Sequence, residues 1–369
     1  MSELLLSSVR EFVKRYVEPV AVKVDREDWY PRELVRKMGE MGFLAPMAEG
    51  LNLLETSLIL KEVSKSSGSV ALIQDAQGEL VTEPLRVYGD EKEIVEKLSK
   101  GELIGGFALS EPQGGSDVAS IRTRAERQNG RWVIKGKKMW TTQGLYADVF
   151  IVAAKTGDKG LKSITTFLVE RGPCTKVDKI EVMGNRGTGT AEVEFNGCEA
   201  KSVIGGVDGG WEVVKYALLV GRVAISAIAI GLAEGAVEEA ISWAQERELF
   251  GSKLADKQGI QWYIADAVAK LSSLNTMLKS FVKAEDVFKD EGRIAVLKYV
   301  STKVATEVVD RAVQIMGGLG YAKGSKSERA YRDVRLTRIG EGTDEVQLGI
   351  IYKVLRREGL QYFTDNMSI

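Results

Sequence analysis

Apolar residues fall on a helical stripe from the start of the chain. Leu5, Val9, Phe12, Val13 and Tyr16 recur at helical steps, and Val20 extends the row. Pro31 stands where a second helix begins, a position at which its missing N–H costs little. Leu34, Met38 and Met41 keep the helical spacing, and Leu53–Ser64 and Glu91–Leu98 give further helices, with breaks at Gly50 and Gly89–Asp90. From residue 105 to 206 the pattern changes to short β-branched or alternating runs: 131–137, 149–154, 164–169 and 191–195. Asn129–Gly130 is a hairpin signal, and turn residues recur at Gly157, Gly160, Gly172–Pro173, Gly184 and Gly187. The glycine-rich joint Gly205–Gly210 follows, after which amphipathic helical runs cover 211–249, 256–290, 292–316 and 343–357. The order predicts an α+β multi-domain chain: an N-terminal α-helical domain over 1–104, a middle β-barrel or sandwich domain over 105–208, and a C-terminal four-helix bundle over 209–369.

The segment Ala217–Val237 is apolar and long enough to span a membrane, but it carries Arg222 and Glu234 and is flanked by amphipathic helices. It is expected to be a buried bundle helix. Net charge is −1 over 369 residues, which favours neither nucleic acid nor an anionic membrane as partner. The chain has no histidine, which excludes Ser-His-Asp and Cys-His catalysis and any His-ligated metal; no metal site is expected. Cys174 and Cys198 are too few for a disulfide framework and read as reduced thiols. The N-terminus has acidic Glu3 and only a short leucine run, so a cytoplasmic location is expected.

Five stretches carry candidate chemistry. In Phe107–Asp117 (FALSEPQGGSD), Pro112 stops regular structure, Gly114 and Gly115 allow close backbone approach, and Ser116 offers a hydroxyl. Met139–Gly144 (MWTTQG) holds Trp140 and Thr142. Arg247–Gly251 (RELFG), followed by Gln258, places a fixed cationic fork between two helices. Gln314–Tyr321 (QIMGGLGY) ends a helix on glycines, and Glu341–Glu345 (EGTDE) sets a carboxylate in a loop. No G-x-G-x-x-G stands between a strand and a helix and no P-loop is present, so a dinucleotide would need another cradle.

In order and spacing, from about residue 8 to 356, these stretches resemble the motifs of the acyl-CoA dehydrogenase family. The resemblance implies bound FAD, an acyl-CoA substrate, an electron-transfer flavoprotein as electron acceptor, and a homo-oligomer that is a dimer or a dimer of dimers. It implies α,β-dehydrogenation of the thioester to a trans-2-enoyl-CoA, with hydride transfer to flavin N5. It places Phe107, Leu109, Ser110, Trp140 and Thr142 at the flavin ring, and Gly115 and Ser116 at the flavin phosphates or the CoA moiety. Arg247, Phe250, Gln258, Gln314, Gly317 and Gly318 would reach FAD across a dimer, and Thr343 and Glu345 would add cofactor contacts. Glu341 matches the catalytic base, and Ser116, Arg222 and Gly342 the substrate contacts. A minority of the family carries its base just before the Arg of Gly221–Arg222; Gly221 has no side chain, which supports Glu341. Glu328–Arg329 and Tyr331–Asp333 match a family run read as structural ion pairing.

The chain departs from the family at Gly340, where a bulky residue is usual, at Leu219, in the shorter loop Ala45–Leu53, and in the polar stretch Gln74–Glu79. Ala71 stands where glutaryl-specific members have arginine, which argues against a terminal carboxylate on the substrate. Alternatives on the same fold are an acyl-CoA oxidase, a flavin monooxygenase, or a non-catalytic flavin-containing binding protein.

Overall fold

The computed structural model describes residues 3–282 and 287–364. Residues 283–286, assigned above to a bundle helix, and the chain ends assigned to the first and last domains lie outside the described residues. The N-terminal part contains helices α1 (Glu3–Phe12), α2 (Glu18–Arg26), α3 (Arg32–Glu40), α4 (Leu53–Ser64), α5 (Gly68–Asp75), α6 (Glu83–Tyr88) and α7 (Lys92–Ser99). Val9, Phe12, Val13 and Val17 face inward along α1 and the π-helical turn that joins it to α2. Helix α4 starts on a reciprocal cap: Glu55 N–H donates to the Asn52 side chain, and the Glu55 carboxylate accepts from Asn52 N–H. Between α5 and α6 the chain runs through a second π-helical turn, Ala76–Thr82, which is buried throughout. Such widened turns are frequent at functional sites.

The middle part is one eight-stranded sheet of β1 (Gly105–Ala108), β2 (Arg124–Gln128), β3 (Arg131–Thr141), β4 (Val149–Lys155), β5 (Ile164–Glu170), β6 (Thr175–Lys179), β7 (Ala191–Glu199) and β8 (Ser202–Ile204). The strand order is β6-β7-β3-β2-β4-β5-β8, with β1 parallel to β4. The Asn129–Gly130 turn joins β2 to β3 as expected, and both residues have positive φ. One pair, Arg124 with Lys155, links the two halves of the sheet, which fold over a shared core. Phe150 of β4 meets Phe195 of β7 edge-on at 5.6 Å, although these strands are not neighbours in the sheet.

Cys174 and Cys198 are bonded as a disulfide, which corrects the reading of two free thiols. The register of β6 on β7, Thr175 opposite Phe195, brings the two sulfurs together. Pairing between strands, not spacing in sequence, created the bond.

The C-terminal part is helical: α8 (Gly210–Glu246), α9 (Gln258–Val282), α10 (Glu291–Met316), the short α11 (Gly318–Tyr321), α12 (Lys326–Thr337) and α13 (Asp344–Glu358). The most apolar window of α8, long enough to cross a membrane, is 89% buried inside the protein. Helix α12 was not foreseen as a helix and packs on α8 and α10 beside the long helices. Its charges are used internally. Arg332 makes a bidentate pair with Asp25 at 2.6 and 2.7 Å and a second with Glu328 at 2.6 and 2.9 Å. The Asp333 carboxylate accepts from Asn185 N–H at 2.5 Å. These bonds tie the three parts of the chain together, consistent with a structural role for the run.

Candidate active site

The loop between α12 and α13 holds Glu341 in a constrained backbone. Its φ is 56° and that of Gly342 is 92°. A positive φ at a non-glycine residue costs on the order of 1–3 kcal/mol and persists only where surrounding contacts enforce it. Those contacts are present. Arg222 Nε donates to the Glu341 carbonyl at 3.2 Å, and Lys298 Nζ donates to the Gly342 carbonyl at 2.7 Å. Gln347 Nε2 reaches both carbonyls, at 3.2 and 2.9 Å. Arg338 pairs with Asp344 at 2.6 Å across the loop, and the Thr343 hydroxyl caps α13. Three polar side chains from three helices therefore fix one turn.

The turn aims a carboxylate inward. Glu341 keeps part of its surface exposed, yet its Oε2 is buried and has no hydrogen-bond partner. Burial raises its pKa to about 7 against the attraction of Arg222 and Lys298. Burial likewise lowers Lys298 to about 8. The carboxylate lies against α8 at Gly221, where a Cβ would come within 2.7 Å of Glu341 Oε2 and 2.9 Å of Leu80 Cδ2. The two alternative base positions thus compete for one volume, and glycine at 221 leaves it to Glu341. Arg222, one residue on, is buried and turned to the loop carbonyl.

A second cluster forms where β1 ends. Ser110 carbonyl accepts from Met139 N–H at 2.8 Å, so the FALSEPQGGSD and MWTTQG stretches meet. Gly115 is glycine for a reason of space: a Cβ there would lie 2.7 Å from the Ser110 hydroxyl. The pairing of β3 with β7 shifts register between Lys138 and Thr141, and at that bulge Trp140 takes φ 61° and remains 57% exposed. The Thr141 hydroxyl is buried without a partner. Phe107, Leu109, Ser110 and Thr142 are at least partly buried around this junction, and Gly115 and Ser116 are exposed on the loop.

Sequence reasoning missed the group beneath that loop. Lys138 is fully buried; its Nζ donates to the Leu109 carbonyl at 3.0 Å and to Glu111 Oε1 at 2.8 Å. Glu111 also accepts from Arg122 N–H at 2.6 Å, Thr123 N–H at 2.9 Å and Gln113 Nε2 at 2.6 Å. Lys138 and these donors hold Glu111 down at about 2, and burial lowers Lys138 to about 8. A lysine on the inward face of a strand, in step with Ile134, was the available signal. A second unforeseen network runs from Tyr30 through Gln143 to Gln77 of the π-helical turn, and Gln77 Oε1 accepts from Gly105 N–H at 3.0 Å.

The other foreseen cofactor residues lie elsewhere. Arg247, Phe250, Gln258, Gln314, Gly317, Gly318 and Glu345 are exposed, and among the described residues no hydrogen bond links them to the β1–β3 cluster. Phe250 is 95% exposed with φ 50°, and Gly317 has φ 57°.

An unpartnered buried carboxylate on a pinned loop, together with a serine, threonine and tryptophan cluster at a strand bulge, suits a base beside a bound aromatic cofactor. The comparisons agree over the whole chain. Residues 2–102 match the N-terminal domain of acyl-CoA dehydrogenases, 106–198 the middle domain, and 208–356 the C-terminal domain. An acyl-CoA dehydrogenase of Bacillus subtilis is 33% identical over 367 residues, covering 95% of this chain and 97% of its own. Butyryl-CoA dehydrogenase of Megasphaera elsdenii superposes with a TM-score of 0.90 at 28% identity, covering 97% of this chain and 99% of that one. A glutaryl-CoA dehydrogenase of Mycobacterium smegmatis in complex with FADH2 superposes with a TM-score of 0.91 at 26% identity, covering 97% and 96%. With all three domains matched in order and a relative aligned nearly end to end, the chain belongs to the acyl-CoA dehydrogenase family.

Proposed function

We propose that the protein binds FAD and oxidises an acyl-CoA thioester at its α and β carbons, with Glu341 removing the α-proton. The observation that carries this reading is the buried, unpartnered Oε2 of Glu341 on a loop pinned by Arg222, Lys298 and Gln347. Burial holds the carboxyl near neutrality, so it can take a proton and release it again in the physiological range. The loop bonds also set which backbone groups face the thioester. Gln347, Arg222 and Lys298 occupy the carbonyls of residues 341 and 342, while the Glu341 N–H makes no backbone hydrogen bond among the described residues and is a donor suited to the thioester oxygen.

The residues present fit FAD. The exposed Trp140 offers an aromatic face, Ser110, Ser116 and Thr142 offer hydroxyls, and the Gly115 turn has no room for a side chain on its Ser110 side. FAD, when bound, supplies the two-electron acceptor for the β-hydrogen. Arg247, Phe250, Gln258, Gln314, Gly317 and Gly318 support a cofactor site completed by a second copy. They are exposed in one chain, and Phe250 and Tyr321 are 95% and 86% uncovered. A homodimer, or a dimer of dimers, and reoxidation by an electron-transfer flavoprotein complete the proposal.

The test is an anaerobic titration of the FAD-loaded protein with acyl-CoAs. Bleaching of the flavin band by the wild type, lost in Glu341→Gln with ligand still bound, is the expected result. Bleaching by the variant at the wild-type rate would remove Glu341 from the role.

A further inference from the structure

The surroundings of Glu341 hold more acid than one base requires. Asp75, the last residue of α5, and Glu79, on the π-helical turn, are buried, and none of their four carboxylate oxygens has a hydrogen-bond partner. Gln74, also fully buried, leaves both amide atoms unpartnered. These groups adjoin the catalytic turn. Asp75 feels the charge of Glu341, Glu79 feels that of Asp75, and Leu80 shares with the Glu341 carboxylate the space in front of Gly221.

The cations nearby are committed elsewhere. Arg86 is held by Glu83 at 2.7 and 2.8 Å, Arg222 by the Glu341 carbonyl and Lys298 by the Gly342 carbonyl. The charges that act on Asp75 and Glu79 are all negative, those of Glu341, Asp75 and Glu83. Both carboxyls are accordingly pushed well above the ordinary carboxylate range, by burial first and by these neighbours second, against a smaller pull on Glu79 from its own backbone N–H. Two adjoining buried acids without partners are a costly arrangement in a folded chain. They become favourable when a ligand brings the missing donors and the missing positive charge.

We infer that Asp75 and Glu79 recognise the acyl group itself, and that the thioester this enzyme takes carries an ammonium on its acyl chain beyond the carbons that react. This deepens the dehydrogenase reading and rests on it. A hydroxyl would bring one donor and no charge, whereas an ammonium brings three donors and the positive charge that lets a buried carboxyl ionise. A terminal carboxylate would meet three acids and is rejected, in keeping with Ala71. The ammonium takes no part in the bond changes. The α-proton still goes to Glu341, and the chain's own acids hold the far end of the substrate.

The test uses the FAD-loaded enzyme and anaerobic flavin bleaching by pentanoyl- and hexanoyl-CoA and their ω-amino, ω-hydroxy and ω-carboxy counterparts. The ω-amino thioesters should show kcat/KM at least about tenfold above the unsubstituted ones, with the ω-carboxy thioesters slowest, since a site built for a polar group penalises analogues that lack it. Asp75→Asn and Glu79→Gln, which keep size and remove charge, should fold with a thermal midpoint no lower than that of the wild type and lose that preference. Equal or better turnover of the unsubstituted or ω-hydroxy thioesters, or a preference that survives both substitutions, would overturn the inference. Binding of the same panel to Glu341→Gln, followed by calorimetry, separates the two readings. If no thioester bleaches the wild type, the dehydrogenase reading fails, and tighter binding of the ω-amino thioesters still decides the role of Asp75 and Glu79.

Discussion

The Lys138–Glu111 ion pair beneath the Phe107–Asp117 loop offers a quantitative test of what that pair does. Glu111 falls from 4.5 to about 2, worth about 3 kcal/mol in favour of its folded, charged form at about 1.4 kcal/mol per pKa unit. Lys138 falls from 10.5 to about 8, about 3 kcal/mol against its own charged form. The two cancel, and because each already contains the same mutual attraction, their sum overstates the pair. The pair is therefore no source of net stability. Its effect is directional: Lys138 fixes the Leu109 carbonyl, and Glu111 fixes the N–H groups of residues 122 and 123. Removing one partner is a different matter, because it strands the other charge at a cost of about 3–5 kcal/mol. At roughly 2.1 cal/mol/K per residue, the 369-residue chain has an unfolding entropy of roughly 0.8 kcal/mol/K, so Glu111→Gln should lower the thermal midpoint by about 4–6 °C. The double variant Glu111→Gln/Lys138→Met should fall short of the sum of the single variants by about 2–3 kcal/mol, or about 3–4 °C. It should still release flavin more readily than the wild type, because the Leu109 carbonyl has lost its tether. Scanning calorimetry of the four proteins, with flavin content read from the visible spectrum, gives both quantities. Strict additivity of the midpoints, or full flavin retention by the double variant, would refute the reasoning.

Further outcomes follow from the base and its neighbours. Since burial raises Glu341 to about 7 and only its carboxylate can accept the α-proton, kcat/KM should rise with pH through about 7 and fall about tenfold per unit below it; a flat profile across that range would count against the assignment. Glu341→Gln should lower the bleaching rate at least about 100-fold, measured by stopped-flow absorbance. Gly221→Ala puts a methyl 2.7 Å from Glu341 Oε2, so turnover should fall while FAD content is kept, and unchanged turnover would show that the carboxylate does not work from that position. Denatured but unreduced protein should give no reaction with a thiol reagent, since Cys174 and Cys198 are bonded; two titratable thiols would contradict the pairing. Closing a loop with sequence separation 24 is worth about 3 kcal/mol by chain entropy, so reduction should lower the thermal midpoint by about 4 °C.

What the sequence made legible was set by period and by local chemistry. The stripes of α1 and α4 and the long apolar run of α8 announce themselves because burial on one face or on all faces leaves its own spacing. The Glu341 loop was legible through its motif. Helix α12 was not, because KSERAYRDVRLT spends its polar residues on Asp25, Asn185 and its own backbone, so no apolar stripe marks it. Strands β2 and β6 are mostly polar with little alternation to show, and β1 is short. Lys138, Gln143, Lys298 and Gln347 escaped notice for a common reason. Each is a polar residue at a buried position, and its purpose is visible only once the carbonyl or carboxylate it serves has been brought to it from a distant part of the chain. The disulfide escaped because register is not written in cysteine spacing.

Glycine at 340 admits two explanations, a wider site and a looser loop. A Cβ at 340 would meet only Leu336, at 3.7–4.0 Å, in ordinary contact, and the residue does not have the left-handed φ of its neighbours Glu341 and Gly342. Backbone geometry therefore does not require glycine there, and the position has room for a side chain. If looseness were the purpose, Gly340→Ala would stiffen the loop, stabilise the protein by about 0.4–1 kcal/mol through the unfolded chain, and lower turnover. Yet the loop is already held by Arg222, Lys298, Gln347 and the Arg338–Asp344 pair, and a methyl at 340 adds little to that. The expected result is that Gly340→Ala keeps its turnover number and its substrate profile. Gly340→Phe, by contrast, should keep FAD and the pH profile of Glu341 while shifting preference toward shorter acyl chains. A fall in turnover with Gly340→Ala, or an unchanged chain-length profile with Gly340→Phe, would return the glycine to a role in loop motion.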